Sequence, residues 1–166
     1  MPPVEPATAT LQALAAAGIT EICLTWQTDW VLDLESWSGP IEAALLRLPA
    51  LLSEDLGAEE RYLVFRAPSR DVVVFDDCND EAVHRLGPFA FLVIRTSPGN
   101  CHVWLQLERP EAAAALFRRM EPSGANGYSM NGGRLPGFVN RKRHRRGADG
   151  GYPTTELVQV NPGRVA

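Results

Sequence analysis

The chain has 166 residues, 45% hydrophobic and 22% charged, which suits one globular domain, residues 1–166, with a sizeable core. It lacks the roughly 18-residue apolar run of a membrane span and the basic start of a secretory signal, and its three scattered cysteines make neither a zinc spacing nor a disulfide framework, so a reducing cytoplasm is expected. The net charge of −4 hides an asymmetry: residues 1–133 hold 9 Lys/Arg against 18 Asp/Glu, residues 134–166 hold 7 against 2, and six of those seven cations fall between Arg134 and Arg146, a run that reads either as a phosphate-binding patch or as a solvated loop.

In chain order, the proline-rich first seven to nine residues are expected to fray. Thr10–Ala17 reads as a short helix stopped by Gly18, and Glu21–Gln27 as a strand. Trp26, Trp30 and Trp37 follow closely and are read as core or partner packing rather than as a cofactor site. Ile41, Leu45, Leu48 and Leu52 give helical spacing over 40–52, with Pro49 expected to kink or end the helix. Tyr62–Arg66 and Val72–Asp76 flank a turn-like segment and suggest a hairpin. Asn79 or Asp80 caps a short helix to Leu86, which Gly87-Pro88 stops. Phe89–Thr96 and His102–Leu107 flank Ser97-Pro98-Gly99-Asn100 as a second hairpin. Pro110 opens a helix to about Met120, Gly124–Gly133 is a glycine- and asparagine-rich loop, and periodicity returns only at Leu157–Val160. The fold class is α+β, with a mixed, mostly antiparallel sheet and flanking helices.

Three constellations carry chemistry. In VVVFDDCN an apolar strand runs into Asp76 and Asp77. Adjacent strand residues point to opposite faces, so both carboxylates serve one cation site only where the strand ends, bends or bulges; the plain alternative is a strand-to-helix corner whose acids cap backbone amides. In TSPGNCHVWLQL, His102, Trp104 and Gln106 share one face as polar and aromatic groups, while Val103, Leu105 and Leu107 face a core. In RLPGFVNRK, Pro136-Gly137 turns the chain so that Arg134, Asn140 and Lys142 gather, either around a phosphate or as a basic surface turn.

In this order, YLVFRAP, VVVFDDCN, TSPGNCHVWLQL and RLPGFVNRK resemble the RepB-type plasmid primases, a branch of the archaeo-eukaryotic primase and primase-polymerase superfamily. The resemblance runs from about Leu48 to Leu157, and its last two motifs are the specific ones. It implies an archaeo-eukaryotic primase fold with a recognition-motif-like unit and a site in the cleft between its parts. It implies a DNA primase, a nucleotidyltransferase making primers on single-stranded DNA in plasmid or mobile-element replication. Two divalent cations, Mg²⁺ or Mn²⁺, and nucleoside triphosphates would take part. Asp76 and Asp77 would be the metal ligands, with His102 the third catalytic group. Ser97, His102, Arg134, Asn140 and Lys142 would bind the nucleotide, and Arg143, Arg145 and Arg146 the DNA. Unwinding would fall to a separate helicase, since no Walker loop is present.

One departure stands out. Where the family carries a third acid, this chain reads Gly124-Ala125-Asn126-Gly127, and asparagine is a poorer ligand for a hard cation. Glu121 or, second, Glu156 substitutes, or two acids suffice, or catalysis is weak or absent. In the last case the chain is a catalytically impaired primase-fold module that binds single-stranded nucleic acid or a replication origin.

Overall fold

The computed structural model describes residues 3–31, 35–67, 69–121, 124–125, 127–129 and 132–166. The first helix, α1 (Glu5–Ala16), begins earlier than expected: Pro6 sits in its first turn, where a missing N–H costs nothing, and Ala7, Leu11 and Leu14 are fully buried. The amino-terminal segment is therefore anchored from Glu5 onward rather than frayed. Strands β1 (Glu21–Gln27) and β2 (Glu35–Pro40) pair antiparallel, and α2 (Ile41–Leu56) follows at once. Pro49 does not end α2. It lies on the exposed side, while Ile41, Leu48, Leu51 and Leu52 bury the other and hold the helix against its local preference.

The expected hairpin between residues 62–66 and 72–76 does not form. Strand β3 (Tyr62–Arg66) pairs with β1, whereas β4 (Val72–Cys78) enters a different sheet, so the two strands are not hairpin partners. Asn79 then caps α3 (Asp80–Leu86), its Oδ1 accepting from the Ala82 N–H at 3.0 Å, and Gly87-Pro88-Phe89 close it with a 3₁₀ turn. The second hairpin does form: β5 (Leu92–Ser97) and β6 (Asn100–Gln106) meet across Pro98-Gly99. Gly99 has φ +72°, a left-handed conformation that glycine takes without steric cost. After a 3₁₀ start at Pro110, α4 (Ala113–Met120) leads to three short strands, β7 (Gly127–Ser129), β8 (Gly132–Gly133) and β9 (Glu156–Val160).

Two antiparallel sheets result, in the orders β2-β1-β3-β8 and β7-β4-β6-β5-β9. One core lies between α1, α2 and the facing sides of both sheets. A second fills the far side of the larger sheet, where Val73, Phe75, Val93, Val103 and Leu105 meet Ala82 and Leu86 of α3 and Ala113 and Met120 of α4. Both faces of β6 are thus covered. Trp104 is not a displayed aromatic group. It is fully buried and stacks on Phe65 of the other sheet, centroids 4.8 Å apart. Gln106 donates to the Ala17 carbonyl at 3.0 Å. Trp26 belongs to the core and Trp37 packs against it, but Trp30 is 75% exposed and packs in no core.

The chain returns from the larger sheet to the smaller one at β8, and Gly133 makes that passage possible. A Cβ there would sit 2.5 Å from the Trp104 indole and 3.3 Å from the Phe65 ring. The next residue, Arg134, is thereby delivered beside the larger sheet's carboxylates.

Candidate nucleotide and metal site

The site is built on a bulge. Phe75 pairs with Val103 and Cys78 with Cys101, so Asp76 and Asp77 together stand opposite a single residue, His102. The extra residue resets the alternation. Asp76 keeps the inward face of Val72 and Val74, and Cys78 is turned into the second core. Asp77 takes up the irregularity with φ +49°, a left-handed conformation that aspartate tolerates better than most residues. A bulge is the arrangement in which neighbouring carboxylates can share one site.

Asp76 Oδ1 accepts from His102 Nε2 at 2.7 Å and from the Asp77 N–H at 2.8 Å. Burial pushes the Asp76 carboxyl up, but the His102 hydrogen bond and charge, the Asp77 amide and the Lys142 ammonium together hold it well below the usual carboxylate range. Asp77 Oδ1 accepts from Arg145 Nη2 at 2.6 Å. Lys142 feels both carboxylates; burial lowers its pKa, Arg134 adds to that, and Asp76 and Asp77 oppose it. Arg134 is buried, and desolvation lowers its pKa against the pull of Tyr62, Asp76 and Asp29. Its guanidinium lies 3.9 Å from the centroid of the Tyr62 ring. Two carboxylates and a histidine from the larger sheet therefore face cations carried by the chain that follows β8.

Asn140 is buried, its Nδ2 donating to the Thr96 carbonyl at 2.8 Å on the strand beside that of His102. Ser97 is buried in its own turn, where Asn100 Nδ2 donates to its Oγ at 3.2 Å. Among the described residues, the buried side-chain N and O atoms without a hydrogen-bond partner are His102 Nδ1, Arg134 Nη1, Asn140 Oδ1 and Trp104 Nε1. Buried polar atoms are rarely left unsatisfied, and all four belong to residues of the RLPGFVNRK and TSPGNCHVWLQL motifs.

Sequence reasoning overlooked Arg141. It is buried against Asp55 of α2: Nη1 meets Asp55 Oδ1 at 2.5 Å and Nη2 donates to the Asp55 carbonyl at 2.6 Å. The other Asp55 oxygen accepts from the Val139 N–H at 3.0 Å. The pair clamps the basic segment to the first core and so fixes Asn140 and Lys142. Its partner Asp55 falls beyond the 40–52 helix read from the sequence, and the burial of both residues shows only in the fold.

The three arginines grouped as DNA-binding do not stay together. Arg145 turns inward to Asp77, whereas Arg143 lies 5.5 Å from the Trp30 ring centroid and Arg146 lies 5.7 Å from that of Tyr152. Asn126, the third metal position, lies outside the described residues. Of its substitutes, Glu121 is exposed at the end of α4, and Glu156 pairs with Arg95 at 2.9 Å on the surface. Among the described residues no three His, Cys, Asp or Glu side chains gather closely enough to hold a metal ion. The two carboxylates fit a cation that completes its shell with water and phosphate oxygens, as Mg²⁺ commonly does. Cys78 and Cys101 face each other beneath the bulge. Burial pushes the Cys78 thiol up to about 12 and raises that of Cys101, which leaves both as core residues rather than reactive ones. No helix among the described residues is long and apolar enough to cross a membrane.

No family model matches the chain, and no curated protein does. Solved structures do. The crystal structure of primase RepB′ superposes with a TM-score of 0.70 at 21% identity, over 95% of this chain and 58% of that one. The catalytic domain of primase RepB′ in complex with initiator DNA gives 0.69 at 20% identity, over 95% and 88%. The archaeo-eukaryotic primase domain of the cyanophage S-2L primase-polymerase gives 0.54 at 14% identity, over 99% and 93%. The chain thus spans 58% of the first structure's length but nearly all of the second. Two antiparallel sheets, flanking helices and these superpositions establish that the chain has the archaeo-eukaryotic primase fold, in the form found in RepB-type primases.

Proposed function

We propose that the chain is the catalytic domain of a DNA primase that joins nucleotides on a single-stranded DNA template, in plasmid or mobile-element replication. The observation that carries this reading is the opposition of Asp76, Asp77 and His102 to Arg134 and Lys142 on a primase fold. Carboxylates suit a hard cation and the basic pair suits a triphosphate. The DNA held by the RepB′ catalytic domain supports a nucleic-acid substrate.

Asp76 and Asp77 would hold Mg²⁺ or Mn²⁺, which supplies charge neutralisation at the reacting phosphate. Arg134, already stacked on Tyr62, has an unpartnered Nη1 that would donate to a phosphate oxygen. Lys142 adds a point charge between the phosphates and the carboxylates. Asn140, anchored through Nδ2, offers its free Oδ1 to a donor on the nucleotide, such as a sugar hydroxyl. His102 has given Nε2–H to Asp76, so its Nδ1 meets a phosphate only as an N–H donor, in the imidazolium form. Ser97 acts through the turn, keeping Pro98-Gly99 in place beside the nucleotide. Arg143 and Arg146 would meet the DNA strand, and a separate helicase or replication protein would open the duplex.

The test is primer synthesis on single-stranded DNA with labelled nucleotides and Mg²⁺ or Mn²⁺. Labelled oligomers that vanish in Asp76→Ala/Asp77→Ala support the reading; unchanged synthesis by that variant overturns it. A second reading, a binding module without catalysis, is favoured by the two-carboxylate set and by the Arg145 cation on Asp77. It predicts salt-sensitive DNA binding with no synthesis under either metal.

A further inference from the structure

The 3₁₀ turn Arg143–Arg145 has two sides. Arg145 faces Asp77, while Arg143 and Arg146 face a separate hollow of about 120 Å³ whose lining includes Trp30, Tyr152, Asp29 and Glu60. Thr28 builds one wall of it. Its Oγ1 accepts from the N–H groups of Trp30 at 3.2 Å and Val31 at 3.0 Å, and its own N–H donates to the Val31 carbonyl at 3.0 Å. Trp30 is therefore presented outward on a hydrogen-bonded turn. Asp29 ties the two walls together by accepting from the Arg143 N–H at 2.8 Å.

The hollow is also joined to the carboxylate site. The Tyr62 hydroxyl donates to the Thr28 carbonyl at 3.3 Å, and the same ring carries Arg134. An indole that is 75% exposed, set on a rigid turn, with one guanidinium near it and a second near a neighbouring phenol, is a stacking surface with phosphate-binding groups beside it. The carboxylates of Asp29 and Glu60 repel phosphate but accept hydrogen bonds from base amino and imino groups. The chemistry favours a planar base against the aromatic rings and its flanking phosphates on the arginines.

We propose that Trp30 and Tyr152, with Arg143 and Arg146, hold an unpaired base of single-stranded DNA as the strand passes the carboxylate site. The inference rests on the primase reading and adds to it the place where the strand is gripped.

The test uses a fluorescein-labelled oligothymidylate of about a dozen nucleotides, read by anisotropy over a salt series. Trp30→Ala should weaken binding about tenfold, the effect of losing one stacked base, and leave the slope against log salt unchanged. Trp30→Phe should restore most of the loss. Arg143→Ala should weaken binding and reduce the slope by about 0.7, one phosphate contact on a single strand. An oligomer abasic at every position should bind the wild type weakly and should not distinguish it from Trp30→Ala. Equal binding by wild type, Trp30→Ala and Tyr152→Ala overturns the inference, as does an equal loss on the abasic strand. Primer synthesis by the wild type is scored separately. A protein that makes primers but binds without Trp30 or Tyr152 refutes the stacking site alone; one that grips bases through Trp30 yet makes no primer refutes the catalytic reading alone.

Discussion

Replacing Arg145 with glutamine should tighten divalent-cation binding, because Arg145 holds the carboxylate that a cation would need. Its guanidinium is 2.6 Å from Asp77 Oδ1, with the Arg145 side chain 19% exposed and that of Asp77 37%. Solvent screens such a pair, so its strength belongs near the top of the surface range, about 1 kcal/mol. A cation on Asp77 would also stand about 5 Å from that guanidinium if it stayed nearby, a repulsion of about 1.5 kcal/mol at the dielectric of water that salt reduces further. Removing both costs should improve affinity by about 1–2.5 kcal/mol, or roughly 5- to 70-fold. Mn²⁺ titration followed by electron paramagnetic resonance, without nucleotide, measures this directly for the wild type and Arg145→Gln. The gain should shrink as ionic strength rises and disappear in an Asp77→Asn background. If Mn²⁺ binds Arg145→Gln no more tightly than the wild type, Arg145 is not a competitor for the site and Asp77 is not a ligand whose pairing limits metal binding.

Three further outcomes follow from the geometry. Arg141→Ala leaves Asp55, 2% exposed, as an uncompensated buried carboxylate and should cost about 3–5 kcal/mol in denaturant unfolding; a loss under 1 kcal/mol would mean that the clamp contributes little. Gly133→Ala drives a methyl group into the Trp104–Phe65 stack and should cost about 1–3 kcal/mol, whereas a neutral effect would show that the stack yields. Asp76 is held below its ordinary pKa, so its carboxylate stabilises the fold above the unfolded value of about 3.9 and loses that contribution as pH falls toward the folded value. The stability difference between wild type and Asp76→Asn should shrink as pH falls below about 4; a difference that grows over that range would contradict the assigned hydrogen bonds.

Much of the framework was legible because local chemistry and tertiary structure agree there. Asn79 caps the helix that its sequence announces, and Pro98-Gly99 makes the turn its composition demands. The failures share a cause. Residues 62–66 and 72–76 have hairpin spacing, but their pairing was decided by distant β1 and β6. Trp104 reads as displayed by alternation on β6, yet a second sheet, assembled from segments far away in sequence, covers that face. Pro49 reads as a helix end, yet buried leucines on both sides of it keep α2 running. Period and turn chemistry report on one strand or one helix at a time. They do not say which element will lie across from it.

The basic segment makes the same point about the site. As a string, residues 141–146 are a charge run, and charge alone gives its members one role. In the fold they diverge at single-residue steps. Arg141 is spent on a buried pair with Asp55, and Lys142 lies in the field of the two carboxylates. Arg143 turns to Trp30, Arg145 to Asp77, and Arg146 to Tyr152. The tight 3₁₀ geometry of residues 143–145 is what sends consecutive cations to opposite sides. The bulge at Asp76-Asp77 does the converse, bringing adjacent side chains that a regular strand would separate before one histidine. Both features are local backbone irregularities held by contacts more than twenty residues away in the chain, His102 with Asp76 and Arg145 with Asp77 among them. A motif can therefore name the residue types a site requires, but the assignment of each charge to metal, phosphate or strand is made by the packing that bends the chain between them.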